Sequence, residues 1–310
     1  MSVRTVKIVL AVLAVLTITT ALSSVADAKD DGPKGLKKMI AVVEFEDKSD
    51  RSRWHWTGPN PGGGMSDMLT TALVQSGEFS VMEREQLDHV LSEQNLGQSG
   101  KVTAQTAPQL GKLLGVAAIV YGSVSEFGYS ESSTGGGIAG FGGGISKTTA
   151  RVAIDVRMID TTTGEIILAE TADADRTQMG LKLRTEDFNF GHDGKFDQTL
   201  VGQATREAID GLVESITETL EAVPWTGRIV KADGAKIYLN AGQTTGITAG
   251  MEFNVYRMGE ALVDPVTGLE LGAEEEKIGV IMASDIKEKY SICSVVSGSG
   301  FDAGDMVRYE

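Results

Sequence analysis

The sequence predicts an α/β fold, a mixed sheet covered by helices and carrying β-hairpin extensions, followed by a small C-terminal all-β barrel. Three observations predict it. Short continuous apolar runs, Met39-Ile40-Ala41-Val42-Val43-Glu44-Phe45 and Ala117 to Val124, read as buried strands and alternate with amphipathic helical stretches. From Lys147 the pattern becomes period two, with Val152, Ile154, Val156 and Met158 set against Ala153, Asp155 and Arg157. The last 86 residues hold twelve Gly and one Pro, show no helical period, and break into short alternating strands. A chain of 310 residues with 41% apolar and 23% charged side chains is long enough for two such cores.

Residues 1–28 read as a secretory signal peptide: Arg4 and Lys7, an apolar run from Ile8 to about Leu22, then small residues at Ala26 and Ala28 for cleavage. The run is shorter than the roughly 20 residues that span a bilayer. Val25 stands where a lipoprotein signal needs Cys, so the exported chain is expected to carry no lipid. A polar leader at 29–38 precedes the α/β domain, expected over 39–223. There, Met65, Met68, Leu69, Ala72 and Leu73 predict a helix from about Gly64 to Ser76, with Gly77 as its cap. Phe79 to Met82 is a strand. Further helices are expected at about 83–94 and from Thr106, with Pro108 in the first turn. Asp160-Thr161-Thr162-Thr163-Gly164-Glu165 turns the chain into Ile166-Ile167-Leu168-Ala169. A long helix then runs along Val201, Ala204, Ala208, Leu212, Ile216 and Leu220 until Pro224 stops it. The barrel domain is expected over 225–310.

Charge and residue inventory exclude whole function classes. With 28 Lys+Arg against 43 Asp+Glu, the chain does not suit nucleic acid, whose phosphates must be neutralised. The barrel segment is acidic too, with 8 basic and 13 acidic residues. A single Cys and three His leave no disulfide framework and little for a metal centre, so neither metal nor cofactor is implied and the chain reads as non-enzymatic. Gly135 to Gly144 holds seven Gly and formally matches a dinucleotide fingerprint, but it leads into a strand rather than a helix and reads as a hairpin tip. His89 lies on the polar side of a helix and His192 in a turn. Cys293 alternates along a strand as a small buried residue. Trp54 and Trp56 lie in a Gly/Pro-rich loop at 54–64, where their rings either pack on the domain's own surface or meet a partner or a passing polypeptide.

Ile40 to Phe45, the helix Met65 to Gly77, Phe79 to Leu87, Gly115 to Val124 and Val156 to Ile166 resemble, in order and spacing, the curli production assembly/transport (CsgG) family. The resemblance covers about 39–220. The C-terminal part is similar to the small β domain of some flagellar assembly (FlgT-like) proteins. What the first resemblance implies is a homo-oligomeric ring at the outer membrane that exports unfolded, curli-like polypeptides, each subunit lending two β-hairpins to a barrel. It also implies a channel constriction in the loop before the first helix, which here carries Trp54, His55 and Trp56.

Membrane-crossing strands need about 9–11 residues with an apolar outward face. The hairpins would lie at about 123–153 and 171–195. Phe127 and Tyr129 are the first hairpin's candidates for the lipid face, and Met179, Leu181, Leu183, Phe188 and Phe190 the second's. Both hairpins are poor in apolar residues. Two readings stay open: a periplasmic, outer-membrane-associated export channel, or a soluble periplasmic module docking through its β domain onto an envelope protein of a flagellar or secretion assembly.

Overall fold

The structure, a computed structural model, describes residues 35–56, 58–83, 115–135, 144–180, 196–263, 265 and 270–309. The signal peptide with Ala26 and Ala28, the helices expected after residue 83 and from Thr106, most of the glycine tip, His89, His192, Leu181, Leu183, Phe188 and Phe190 lie outside them. Leu36–Glu310 form one compact unit.

Two sheets organise it. In the first, β1 (Lys38–Val42) lies between β3 (Phe79–Val81) and β4 (Ala118–Gly135), parallel to both, and β5 (Gly144–Asp160) and β6 (Ile166–Met179) follow antiparallel, in the order β3-β1-β4-β5-β6. The short β2 (Glu46–Asp47) pairs with β4 beyond the end of β1. Helices α1 (Pro61–Ser76) and α2 (Leu200–Glu221) cover one face, where Ile40, Val42, Val120, Val152, Ile154, Met158, Leu69, Leu73, Leu212 and Ile216 form the main core. Ala41, Val116, Ile119 and Ile159 cluster on the other face.

Helix α1 begins earlier than the glycines suggest. Asn60 caps it by accepting from the Gly62 amide at 2.8 Å, and Pro61 fills the first turn, where its missing N–H has no consequence. The glycines are a packing requirement. A Cβ on Gly62 would stand 2.0 Å from the Phe45 carbonyl oxygen, so only glycine lets the helix start against the link between β1 and β2. Gly77 ends α1 with φ +78°, as the sequence predicts. On α2, Thr199 caps the start and Gly202 passes the Phe196 carbonyl in the same tight way.

The second sheet is a closed antiparallel barrel of β7 (Trp225–Asp233), β8 (Lys236–Leu239), β9 (Glu252–Val263), β10 (Glu270–Ile286), β11 (Ser291–Gly298) and β12 (Met306–Tyr309), in the order β10-β11-β8-β7-β12-β9. Closure removes the free edges that so short a set of strands would otherwise expose. Trp225, Ile229, Leu239, Phe253, Val255, Ile281, Cys293 and Val307 fill its interior.

Leu36, expected in the polar leader, is instead buried in this barrel core. Lys37 donates its amide to Thr245 O at 2.9 Å and accepts from Trp225 Nε1 at 3.1 Å, so the chain entering β1 is fastened to the barrel. Lys38 Nζ donates to Leu220 O at 2.6 Å, a cation at the last turn of α2. Burial pushes this ammonium's pKa below the ordinary lysine value, and Glu221 partly offsets the shift.

Candidate functional site: the aromatic segment and the strand extension

Strands β4 and β5 run far past the end of β1, which pairs with β4 only over Ala118 to Val120. They stay paired to Gly135 and Gly144, and β6 pairs with β5 out to Lys147 opposite Met179. Among the described residues, β4, β5 and β6 thus make one three-stranded extension. Among the described residues, the outer edge of β6 has no partner strand.

The segment leading to α1 lies along the other edge. Lys48 donates to Val124 O at 2.9 Å, a hydrogen-bonded turn follows, and His55 then exchanges both backbone bonds with Tyr129, at 2.9 and 3.2 Å. Two carboxylates build that turn. Asp47 accepts from the Ser49 amide and hydroxyl and from Arg51 Nη2, and Asp50 accepts from the Ser52 amide and hydroxyl. Burial raises the Asp47 pKa, but the Ser49 and Arg51 hydrogen bonds outweigh it and leave the carboxyl below its ordinary range. Gly128 makes the His55 contact possible: its φ is +136°, and a Cβ there would come within 2.6 Å of His55 O.

This geometry turns the aromatic rings inward. Trp56 is 6% exposed; its ring meets Phe127 edge-on at 4.7 Å and 78°, and its Nε1 donates to Pro59 O at 2.7 Å. Trp54 is 7% exposed, with the Arg53 guanidinium 5.6 Å over its ring and no acceptor for its Nε1 among the described residues. Within this subunit the two Trp rings, both constriction candidates, pack against the domain's own residues. His55 alone of the three presents its side chain to solvent, its ring 6.3 Å from that of Tyr129.

Phe127 and Tyr129, the first hairpin's candidates for the lipid face, are buried in the main core of this subunit. The cause is a β-bulge between Val124 and Glu126. One extra residue switches the parity of β4, so Val120 and Val124 before it share the helix-covered face with Phe127 and Tyr129 after it. Burial first, and Glu131 second, raises the Tyr129 phenol pKa. On β6 the same face carries Ala172 and Ala174, and Arg176 reaches Glu207 of α2 at 2.6 Å. Met179 is 65% exposed.

The opposite face of the extension is polar. Arg151 bridges Glu126 and Asp173, the latter at 3.1 Å; Thr171 donates to Asp155 at 2.6 Å; and the Thr149 and Thr177 hydroxyls meet at 3.1 Å. Beyond Tyr129, the described side chains are Ser130, Glu131, Ser132, Ser146, Lys147, Thr148, Thr149, Arg176, Thr177, Gln178 and Met179. An apolar belt of about 25 Å, as a lipid-facing barrel wall needs, is not among them. No helix among the described residues is long and apolar enough to cross a membrane. Nor do they hold a group of three or more His, Cys, Asp or Glu placed for a metal ion.

A family model described as curli production assembly/transport component CsgG matches residues 21–227. No curated protein matches. Among solved structures, the hypothetical protein CT253 from Chlamydia trachomatis is 14% identical over 59% of this chain and 98% of its own, with a TM-score of 0.37. Lipoprotein GNA1162 from Neisseria meningitidis is 15% identical over 59% and 98%, with a TM-score of 0.32. A PelC dodecamer from Paraburkholderia phytofirmans is 13% identical over 57% and 86%, with a TM-score of 0.28.

Proposed function

The chain belongs to the CsgG family of curli production assembly/transport components, and from that premise we propose that it is a non-enzymatic subunit of a homo-oligomeric secretion assembly in the cell envelope, passing unfolded, curli-like polypeptides. The observation that carries this reading is the three-stranded extension, whose β6 edge has no partner strand among the described residues. An exposed strand edge is a row of unsatisfied backbone donors and acceptors, and a neighbouring copy completes it without any new side-chain chemistry. The subunit is exported by its signal peptide and held at the periplasmic side of the outer membrane without lipid. His55, rather than Trp54 or Trp56, is the side chain of the aromatic segment that a passing chain would meet.

One observation favours the second reading, a soluble periplasmic module that docks onto an envelope protein. The extension is polar on its outer face and at its far end, which suits water better than hydrocarbon. Cell fractionation followed by light scattering of the extracted mature protein separates the two. Release only by detergent, as a ring, supports the channel; release by osmotic shock as a monomer or small oligomer overturns it in favour of the module.

A further inference from the structure

A cavity of about 240 Å³ lies where the β5–β6 turn faces the barrel, lined on one side by Gly115, Val116, Thr161 and Thr162 and on the other chiefly by Thr226, Arg228, Asn240, Met258 and Met306. Both walls are held in place. The Thr161 hydroxyl donates to Val116 O and Ala117 O, and the Thr162 amide donates to Asp160 Oδ1 at 2.6 Å, which fixes the turn. On the barrel, the Arg228 amide donates to Asn240 Oδ1 at 2.7 Å and the Asn240 amide returns a bond to Arg228 O at 3.0 Å. Arg228 and Met306 are direct cross-strand partners, so their side chains share the outer barrel face. The fastening of Leu36 and Lys37 to the barrel holds the two walls together, so the space exists before any ligand arrives.

The lining chemistry is selective. In a chain with 43 acidic residues, none of the described residues lining this cavity is acidic. The lining supplies donor groups instead: the guanidinium of Arg228, the Asn240 side-chain NH₂, whose oxygen is already engaged, and the hydroxyls of Thr162 and Thr226. Burial pushes the Arg228 pKa below its ordinary value, the mark of a charge moved partly out of water. Met258 and Met306 add a soft apolar surface that adapts to a short hydrocarbon body. The volume equals the share of roughly eight water molecules in the liquid, enough for a carboxylate and a chain of a few carbons.

We propose that this cavity binds a carboxylate bearing a short apolar body, with Arg228 taking the anion, Thr162, Thr226 and Asn240 completing its hydrogen bonds, and Met258 and Met306 holding the hydrocarbon. A charge-assisted guanidinium–carboxylate pair in a half-buried site is the strong contact here. The carboxylate comes either from a small free acid or from a polypeptide C-terminus.

The test titrates the mature full-length chain, carrying ¹³C-methyl methionine, with 4-methylpentanoate, with its amide, and with N-acetyl-glycyl-leucine. Saturable shifts of the Met258 and Met306 methyls by the acid, at least tenfold weaker with the amide, support the site. Binding of the peptide as well assigns the carboxylate to a chain terminus, and binding of 4-methylpentanoate alone assigns it to a free acid. Arg228→Gln should weaken binding at least tenfold and Thr162→Val a few-fold. Equal binding of acid and amide, or no saturation by any of the three at a dissociation constant tighter than about 1 mM, overturns the proposal. The amide comparison uses the unaltered protein, so it decides the matter even if Arg228→Gln does not fold.

Discussion

Replacing Trp56 with Ala separates the packing role from the channel role. The ring is 6% exposed, stacks edge-on against Phe127 at 4.7 Å, and donates to Pro59 O at 2.7 Å. Truncating a buried Trp to Ala costs about 3–5 kcal/mol, of which the aromatic pair accounts for about 0.5–1.5. For a cooperative unit spanning Leu36–Glu310, about 2 °C is lost per kcal/mol, so the melting temperature should fall by roughly 6–10 °C. His55→Ala is the matched control. That side chain is exposed, and its removal should stay within about 0.5 kcal/mol. Scanning calorimetry and urea unfolding of the mature protein measure both. If Trp56→Ala were as stable as the wild type, or if both variants lost the same amount, the inward packing of this segment would be refuted.

Trp54→Phe removes a buried indole N–H that has no acceptor among the described residues, so urea unfolding should find it neutral or up to about 1 kcal/mol more stable, and a loss above about 2 kcal/mol would contradict the geometry. Cys293 is buried with its thiol pKa pushed up to about 11, so a thiol reagent at pH 8 should label it only after denaturation; rapid labelling of the native protein would show an open barrel. Its folded-state pKa lies above the ordinary thiol value of 9.0, so its stabilising effect is complete below pH 9.0 and disappears as the pH rises towards about 11. A Cys293→Ala variant should show less of that alkaline loss in urea unfolding, and an identical loss would contradict the assignment. Asp47 has the opposite sign. Its pKa is depressed below 3.8, so its stabilisation is present above that value and disappears as the pH falls through the folded-state pKa. Wild type should therefore lose more stability than Asp47→Asn between pH 5 and pH 3, and parallel losses would mean that the turn does not depend on the ionised carboxyl.

Much of this fold is legible in the sequence because burial and periodicity agree locally. Gly77 marks the end of α1, the apolar stripe from Val201 to Leu220 marks α2, and the short alternating strands after Trp225 mark the barrel. The candidate site is less legible, since its placement depends on events that leave no periodic trace. A single bulged residue after Val124 turns Phe127 and Tyr129 from an outward face to the core. Glycines that look like loop material at 62–64 open a helix because the Phe45 carbonyl leaves no room for a Cβ. Pairing of β6 with β5 from Lys147 to Ile159 rests on backbone hydrogen bonds that its side chains, mostly charged or small, do not announce. The cavity beside Arg228 joins residues more than a hundred positions apart, a closeness that only the closed barrel creates.

The most direct measurement is the mass, by light scattering coupled to size exclusion, of the mature protein released from cells with and without detergent. If neighbouring copies complete the β6 edge that is unpartnered among the described residues, a multi-subunit ring is the main species and disperses when Thr171 and Asp173 on β6 are replaced by Pro. A monomer under both conditions, with the same mass after those replacements, would contradict it.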